Sequence, residues 1–343
     1  MGNKKARAAL IVLPVISVLV IIAGIAIGSV SISPLKIISV IIFKLTGQTI
    51  YDIDKIDIAI IWELRMPRVM LAFVVGAALS ASGAVVQSAL RNPLASPFTL
   101  GVSSGASLGA GIIIAFFSAT TILSSLMLPL TGFIFGLLTV IISIRFASMV
   151  DRNLESTTIV LCGMVLSMFI NAVFMLIAGI SGDKMQQIIR WQMGSFSSKG
   201  WEYVIILFVS LIIGVTILVF FSKELDILTF GEEEASSIGV ETKKVKWIVI
   251  IVSSALTGLA VSFAGVIGFI DLVAPHIVRR LFTPRHKYVI VLSALTGGIL
   301  MVAADLVSRT VISPRELPVG AVTALIGAPF FAYVYFIRRK NNA

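Results

Sequence analysis

Hydrophobic positions along this chain are gathered into long uncharged runs rather than alternating with polar ones. The runs cover residues 8–35, 69–90, 92–144, 156–182, 203–222, 247–270, 288–304 and 317–337. A helix needs about 20 apolar residues to cross a bilayer, and most of these runs reach that alone. Strands of a membrane barrel are short and alternate, so a β-barrel is excluded. Run 92–144 is too long for one crossing and contains Pro129 after a Ser/Thr-rich stretch. It predicts two spans, roughly 97–117 and 127–147, joined by a tight outer turn. Eight runs thus predict nine clear spans.

Charge between the runs sets the topology. Lys4, Lys5 and Arg7 precede the first run, and Arg338, Arg339 and Lys340 follow the last. Both termini are therefore expected in the cytoplasm, which requires an even number of crossings. Lys243, Lys244 and Lys246 place the start of run 247–270 inside, and Arg279, Arg280, Arg285 and Lys287 place the next start inside too. The chain must return between about Gly265 and Arg280, a stretch too short for a regular span. A short or broken helix buried against its neighbours would satisfy the backbone there, as lipid would not. The expected fold is all-α, a polytopic membrane protein with ten transmembrane helices in one tight bundle. The eighth helix is short, and residues 1–343 form a single domain. In this topology the inside segments hold 17 of the 27 Lys and Arg residues. Arg65, Arg68, Arg309 and Arg315 form an exceptional outer group.

Composition agrees. The chain is 58% hydrophobic and 13% charged, with a mean hydropathy of +1.06; a soluble domain carries about 25% charged residues. A net charge of +10 would suggest nucleic acid in a soluble protein. Here the membrane charge rule accounts for it, and no nucleic-acid partner is expected. The single cysteine, Cys162, excludes an intramolecular disulfide. The first run is too long for a signal-peptide core and is expected to remain a helix. Gly76, Ala77, Ser80, Gly83 and Ala84 make one small face, and Gly101, Gly105 and Gly109 repeat at four-residue spacing. Such faces let helix backbones approach closely in lipid.

Familiar catalytic patterns are missing. No Gly-x-x-x-x-Gly-Lys-Ser/Thr loop occurs, so ATP is not bound by that route. His276 and His286 have no ligand partners at metal spacing, and no serine elbow or His-Glu-x-x-His helix is present. Two carboxylates, Asp271 and Asp305, fall at membrane depth. Such groups are costly unless paired, neutralised or wet, and an ion-coupled secondary transporter would use one as its ion site. Asp305, four residues before Arg309, can also form a one-turn pair.

Three local patterns stand out. Arg65-Met-Pro67-Arg68 leads into Ser82-Gly83-Ala-Val-Val-Gln87 and then Arg91-Asn92-Pro93-Leu94-Ala95-Ser-Pro97. The inside loop about 223–241 reads Leu225-Asp-Ile-Leu-Thr-Phe-Gly231-Glu-Glu-Glu234-Ala-Ser-Ser-Ile-Gly239. Pro275-His276-Ile-Val-Arg279 is followed by Ala304-Asp305-Leu-Val-Ser-Arg309 and by Glu316-Leu-Pro318-Val-Gly320, up to Gly327-Ala-Pro329-Phe330. From about residue 60 onward the chain resembles the FecCD family, permease subunits of ATP-binding-cassette importers for iron-siderophores, haem and vitamin B12. The departures are Asp271, where that family commonly has glycine, and Arg285-His286-Lys287, where it often reads Asp-His-Arg. The latter is expected to matter little in a cytoplasmic turn.

The resemblance implies ten helices with a short eighth, in the bacterial cytoplasmic membrane. It implies partners: a second permease subunit, identical or paralogous, two cytoplasmic ATPases, and an external binding protein, with lipid around the bundle. ATP and Mg would sit on the ATPases, leaving this chain without a cofactor and not an enzyme. It implies a cytoplasmic gate at Asn92, Leu94, Ser156 and Thr157, although a Pro turn and a helix N-cap explain those residues equally. The inside loop reads as two short helices broken at Gly231, with three glutamates at the positive end of the second. By resemblance its Leu225, Leu228, Phe230, Gly231, Glu232, Glu233, Ala235 and Gly239 would seat in the ATPase. Arg65, Arg68 and Arg309 would dock the binding protein. Alternatively they anchor to lipid phosphates or pair with Glu63 and Glu316.

Overall fold

The structure, a computed structural model, describes residues 2–28, 30–48, 51, 53–117, 122–151 and 154–341. Among the described residues it is helical without strands. The elements are α1 (Gly2–Ala26), α2 (Pro34–Thr46), α3 (Lys55–Ile58), a π-helical segment (Ala59–Arg65), α4 (Met66–Ala89), α5 (Val102–Phe116), α6 (Ile122–Val150) and α7 (Ser156–Ile180). They continue through α8 (Met185–Gln192), α9 (Trp201–Phe220), α10 (Ser222–Leu228), α11 (Glu232–Ser237) and α12 (Thr242–Ala264). The last three are α13 (Ile270–Leu281), α14 (His286–Thr310) and α15 (Val319–Asn341).

Among the described residues seven helical stretches are long and apolar enough to cross a membrane, and Val102–Phe116 and Val319–Tyr333 are shorter apolar helices. With α13 at the predicted return, ten helices stand where ten crossings were expected. Run 92–144 divides between α5 and α6, and Pro129 lies within α6, as the expected span 127–147 places it. The tight outer turn expected between the two spans falls on residues that include 118–121, which lie outside the described residues. Residues 97–101 form turns rather than the start of α5.

α4 is the axis of the bundle. Of its most apolar window 89% is buried, against 22% for α7, which leaves α7 as an outer helix. Small residues make this position possible: a Cβ on Gly76 would collide with the Gly297 carbonyl and the Met301 side chain of α14. One on Gly83 would strike the Asp271 carbonyl of α13. Gly105 and Gly109 meet α6 in the same way. Lipid supplies little hydrophobic drive between helices, so these approaches supply packing that larger residues would forfeit. Gly76→Leu is expected to cost at least about 1–3 kcal/mol through overpacking. It should lower both the yield of monodisperse protein and its melting temperature in detergent; wild-type melting would refute the close approach.

Two helices escape the run pattern. α2 begins at Pro34, which fixes the backbone for a first turn, and ends at Gly47, whose φ of 75° suits glycine. Lys36 splits its apolar residues from the first run, yet Ile37 and Val40 are fully buried. Lys36 Nζ bonds Asp57 at 2.8 Å and ties α2 to α3. α8 buries only Ile188, which packs with Ile114 of α5 and with Phe174 and Ala178 of α7.

The bundle has two polar ends. At one, α10 and α11 lie near the start of α14 and the end of α4; here it is named the loop end. Ala9 and Leu13 of α1 pack with Val278, Val289 and Leu292, so α1 begins on this side. At the other, the arginine end, the start of α4 meets the end of α14 and the end of α1.

Candidate functional site: the two ends of the bundle

At the arginine end, the π-helical segment Ala59–Arg65 carries Arg65 into the interior. Arg65 Nη1 donates to the carbonyls of Ile25 at 2.8 Å and Ala26 at 3.3 Å, and Nη2 to Val30 at 2.6 Å. A helix leaves its last carbonyls without partners, and Arg65 satisfies those of α1. Arg309 reaches the Gly24 carbonyl of the same helix end. Asp305 is fully buried between two arginines. Arg68 Nη2 donates to its Oδ1 at 2.8 Å and Nε at 3.0 Å, while Arg309 Nε lies 3.4 Å from Oδ2. Arg68 also grips Glu316, with Nη1 2.6 Å from Oε1 and Nη2 3.1 Å from Oε2. The forked guanidinium fits both carboxylates at once.

Sequence placed Arg65, Arg68 and Arg309 together, and so does the structure, but with their donors turned inward. Arg65 and Arg309 are buried, and only Arg68 and Glu316 keep contact with the outside. Glu316 pairs with Arg68, as one alternative held, while among the described residues Glu63 forms no ion pair with the three arginines. Asp305 has the expected Arg309 partner and a second, Arg68, that spacing could not suggest. Asp271 is different. It is 2% exposed, with Ser96 as side-chain hydrogen-bond partner and Oδ2 unpartnered.

At the loop end, α10 and α11 are the two short helices expected, broken at Gly231, whose φ is 142°. The apolar surface is smaller than expected. Leu225, Leu228 and Ala235 are fully buried against the bundle, while Phe230 is 77% exposed. The reason is geometric: α10 turns Leu225 and Leu228, three apart, onto its bundle face, and the chain leaves the helix before Phe230. Gly239, with φ 91°, turns the chain beyond α11. Glu232 meets Lys246, a 1%-exposed side chain, at 2.5 Å, and Lys246 also donates to the Leu154 carbonyl at 3.0 Å. Lys246 therefore does more than mark topology; it pins α11 to α12.

A cleft of about 1500 Å³ opens at this end. Asn92, Ser156 and Thr157 line it together with Phe230, Gly231, Glu232 and Glu233. Leu94 does not line it but is 49% exposed beside it. The turn at Asn92 is real, since its Oδ1 accepts from Leu94 N at 2.9 Å. The expected N-cap is not. Glu155 occupies that position without a side-chain bond, its own N–H donates to Asp151 Oδ2 at 2.6 Å, and the Ser156 hydroxyl is unpartnered.

His286 is the residue that sequence reasoning placed in an inconsequential turn. It is 2% exposed and opens α14. Its Nδ1 lies 2.6 Å from Asp226 Oδ1 of α10, and its Nε2 lies 2.5 Å from Ser88 Oγ of α4. Burial opposes the Asp226 charge, but the hydrogen bonds from His286 outweigh it and hold the carboxyl below its ordinary range. Arg279 of α13 joins the group, with Nη2 donating to Ser88 Oγ at 3.0 Å and to the Ala84 carbonyl at 2.7 Å, and Nη1 to Gln87 Oε1 at 2.5 Å. No local motif announces these contacts, since Asp226 and His286 stand 60 residues apart.

The comparisons agree with this architecture. The chain is 38% identical over 322 residues to the uncharacterized ABC transporter permease protein YvrB of Bacillus subtilis, covering 94% of this chain and 91% of that one. It is 37% identical over 276 residues to the cobalamin import system permease protein BtuC of Halobacterium salinarum, covering 80% and 73%. Its fold matches, at a TM-score of 0.82 and 31% identity, an inward-facing structure assigned to the metal-chelate type of ABC transporter, over 95% of this chain and 98% of that one. The profile of the FecCD transport family matches residues 15–337, and the chain belongs to that family.

Proposed function

We propose that this chain is the permease of an ATP-driven importer that moves a metal chelate into the cytoplasm by alternating access. A ferric siderophore is the first cargo to consider, then haem or a corrinoid. The observation that carries the reading is the cleft at the loop end, where Asn92, Ser156 and Thr157 face Phe230, Gly231, Glu232 and Glu233. A gate and a coupling segment that share one cleft can be worked by an ATPase seated there. In this reading two permease subunits surround the path, two ATPases sit beneath them, and a binding protein delivers cargo from outside. Both chain termini are then cytoplasmic. As a transport permease the chain is not an enzyme, and ATP and Mg belong to the ATPases.

The ion-coupled alternative would use Asp271 or Asp305; Asp305 is held by Arg68 and Arg309 rather than open to an ion, and Asp271 is 2% exposed with Ser96 as its side-chain partner. Reconstitution with the ATPase and binding protein tests the choice. ATP-dependent uptake of a radiolabelled ferric siderophore, hemin or cobalamin is expected. Uptake driven by an ion gradient without the ATPase would overturn it.

The docking surface for the binding protein is recast by the buried arginines. Val311, Ile312 and Arg315 are exposed beside the Arg68–Glu316 pair, and they form the surface offered to that partner, with Arg68 at its edge. Arg315→Glu is expected to weaken binding-protein affinity at low salt, with the deficit shrinking as salt rises. Arg65→Glu should instead lower the yield of folded protein, because it breaks the α1 cap. Equal affinities for Arg315→Glu and wild type at both salts would remove this surface from docking.

A further inference from the structure

We propose that Asp226, His286, Ser88 and Arg279 form a polar connector that carries movement of the α10–α11 segment to the inner ends of α4 and α13, and so to the gate turn at Asn92. The inference rests on the importer reading, which supplies the force on α10 and α11.

The four residues come from four elements, and at this end of the bundle their side chains bond in series. Asp226 lies on α10, His286 opens α14, Ser88 closes α4 and Arg279 closes α13. Asp226 Oδ1 accepts from the His286 backbone N–H at 3.0 Å as well as facing Nδ1 at 2.6 Å, so α10 is held to the start of α14 through one carboxylate. A carboxylate at Nδ1 favours the tautomer with its proton there, and Nε2 then accepts from the Ser88 hydroxyl at 2.5 Å in competition with the Ala84 carbonyl, which that hydroxyl also reaches at 3.0 Å. Ser88 in turn accepts from Arg279 at 3.0 Å. Arg279 then spans α4, reaching Gln87 and Ala84. Gln87 Nε2 faces the Asp271 carbonyl at 3.4 Å, which returns the chain of contacts to the first turn of α13.

The far end of the connector is the gate turn. The Asn92 N–H bonds to the Gln87 carbonyl at 3.0 Å, and the Arg91 N–H to the Ser88 carbonyl at 3.1 Å. Whatever displaces Ser88 and Gln87 therefore displaces the turn that carries Asn92 and Leu94. Apolar contacts can slide by a fraction of an ångström and keep most of their attraction. Hydrogen bonds are directional and weaken steeply when misaligned, so this chain keeps its partners only if α10, α14, α4 and α13 shift together. Coupling between distant sites travels through such contiguous networks when they join elements with two arrangements. Burial adds to the effect, because His286 cannot exchange its partners for water without leaving polar groups unsatisfied.

A merely structural clamp would make the same bonds, so the test reads motion rather than stability. The chain has one cysteine, Cys162. In a Cys162→Ser background, Leu94→Cys places a single reporter at the exposed gate turn of the complex with its ATPase. Fluorescein-maleimide labelling is measured without nucleotide and with ATP and vanadate. The expected result is a nucleotide-dependent change in labelling rate for the parent. In Ser88→Ala, which removes only one hydroxyl, that dependence should shrink by about fivefold or more, the lower end of what coupling between two sites is worth. Asp226→Asn should weaken it as well, the double variant should lose little beyond the larger single effect, and Ser88→Thr should restore it. Full nucleotide dependence in Ser88→Ala and Asp226→Asn would overturn the connector, as would additive losses. A parent with no nucleotide dependence and no ATP hydrolysis in the complex would overturn the importer reading, and the connector with it. A parent that hydrolyses ATP without moving Leu94 would overturn the connector alone.

Discussion

Asp305→Ala is expected to destabilise this protein more than any other single substitution at the arginine end. The carboxylate is fully buried and forms ion pairs with both Arg68 and Arg309. Removing it leaves Arg309 buried beside Arg68 without its ion-pair partner, although Arg68 keeps Glu316. Breaking a buried pair from one side costs about 3–5 kcal/mol, because the orphaned charge has lost its water as well as its partner. Asp305→Asn keeps the shape and one acceptor for Arg68, so it should lie between wild type and alanine. Arg68→Ala should also fall between them, since Asp305 then retains Arg309. The measurement is the melting temperature of the purified permease in detergent, together with the yield of monodisperse protein. Melting of Asp305→Ala at the wild-type temperature would show that the cluster contributes nothing to the fold. An ion-carrying Asp305 makes the opposite pattern: an intact fold in Asp305→Asn with uptake abolished.

What the chain's pattern disclosed and what it hid follow a physical line. The crossings were legible because lipid demands long apolar runs and the charge rule punctuates them. Even the short α13 followed from parity and from four basic residues, Arg279, Arg280, Arg285 and Lys287. α2 was hidden because Lys36 interrupts its apolar residues, and a charge reads as a boundary even where its head group reaches back to Asp57. The arginine cluster was legible as an oddity of charge, but its partners were not. Arg65 and Arg309 are bonded to backbone carbonyls at the end of α1, and a carbonyl leaves no signature in a sequence. His286 was hidden for another reason. A histidine in a short cytoplasmic link looks solvated, and only the packing of α10 against the bundle brings Asp226 to it. The α10–α11 segment was legible as two helices, since Gly231 breaks them. Which of its apolar side chains face out was not, because a seven-residue helix offers too few positions to define a face.

That last point changes what mutations in the segment should do. Leu228 and Phe230 are two residues apart and both apolar, yet Leu228 is fully buried in this chain and Phe230 is 77% exposed. Leu228→Asp would place a carboxylate in the cluster formed with Leu225, Ala235 and Val245, where a buried charge without a partner costs several kcal/mol. The segment should detach from the bundle, with less folded protein and faster proteolysis between residues 223 and 241. Phe230→Asp leaves the buried cluster of Leu225, Leu228 and Ala235 intact, so folding and melting should match wild type. If Phe230 seats in the ATPase, it is the kind of aromatic anchor that dominates an interface. Its loss should cost about 2 kcal/mol or more, roughly a 30-fold weaker association. Co-purification of the ATPase and its affinity for permease in nanodiscs would measure this. Two separate outcomes are informative. Normal melting of Leu228→Asp would contradict the buried face of α10. Wild-type ATPase affinity in Phe230→Asp would remove Phe230 from the interface, and with it the main exposed apolar group through which this segment could be driven.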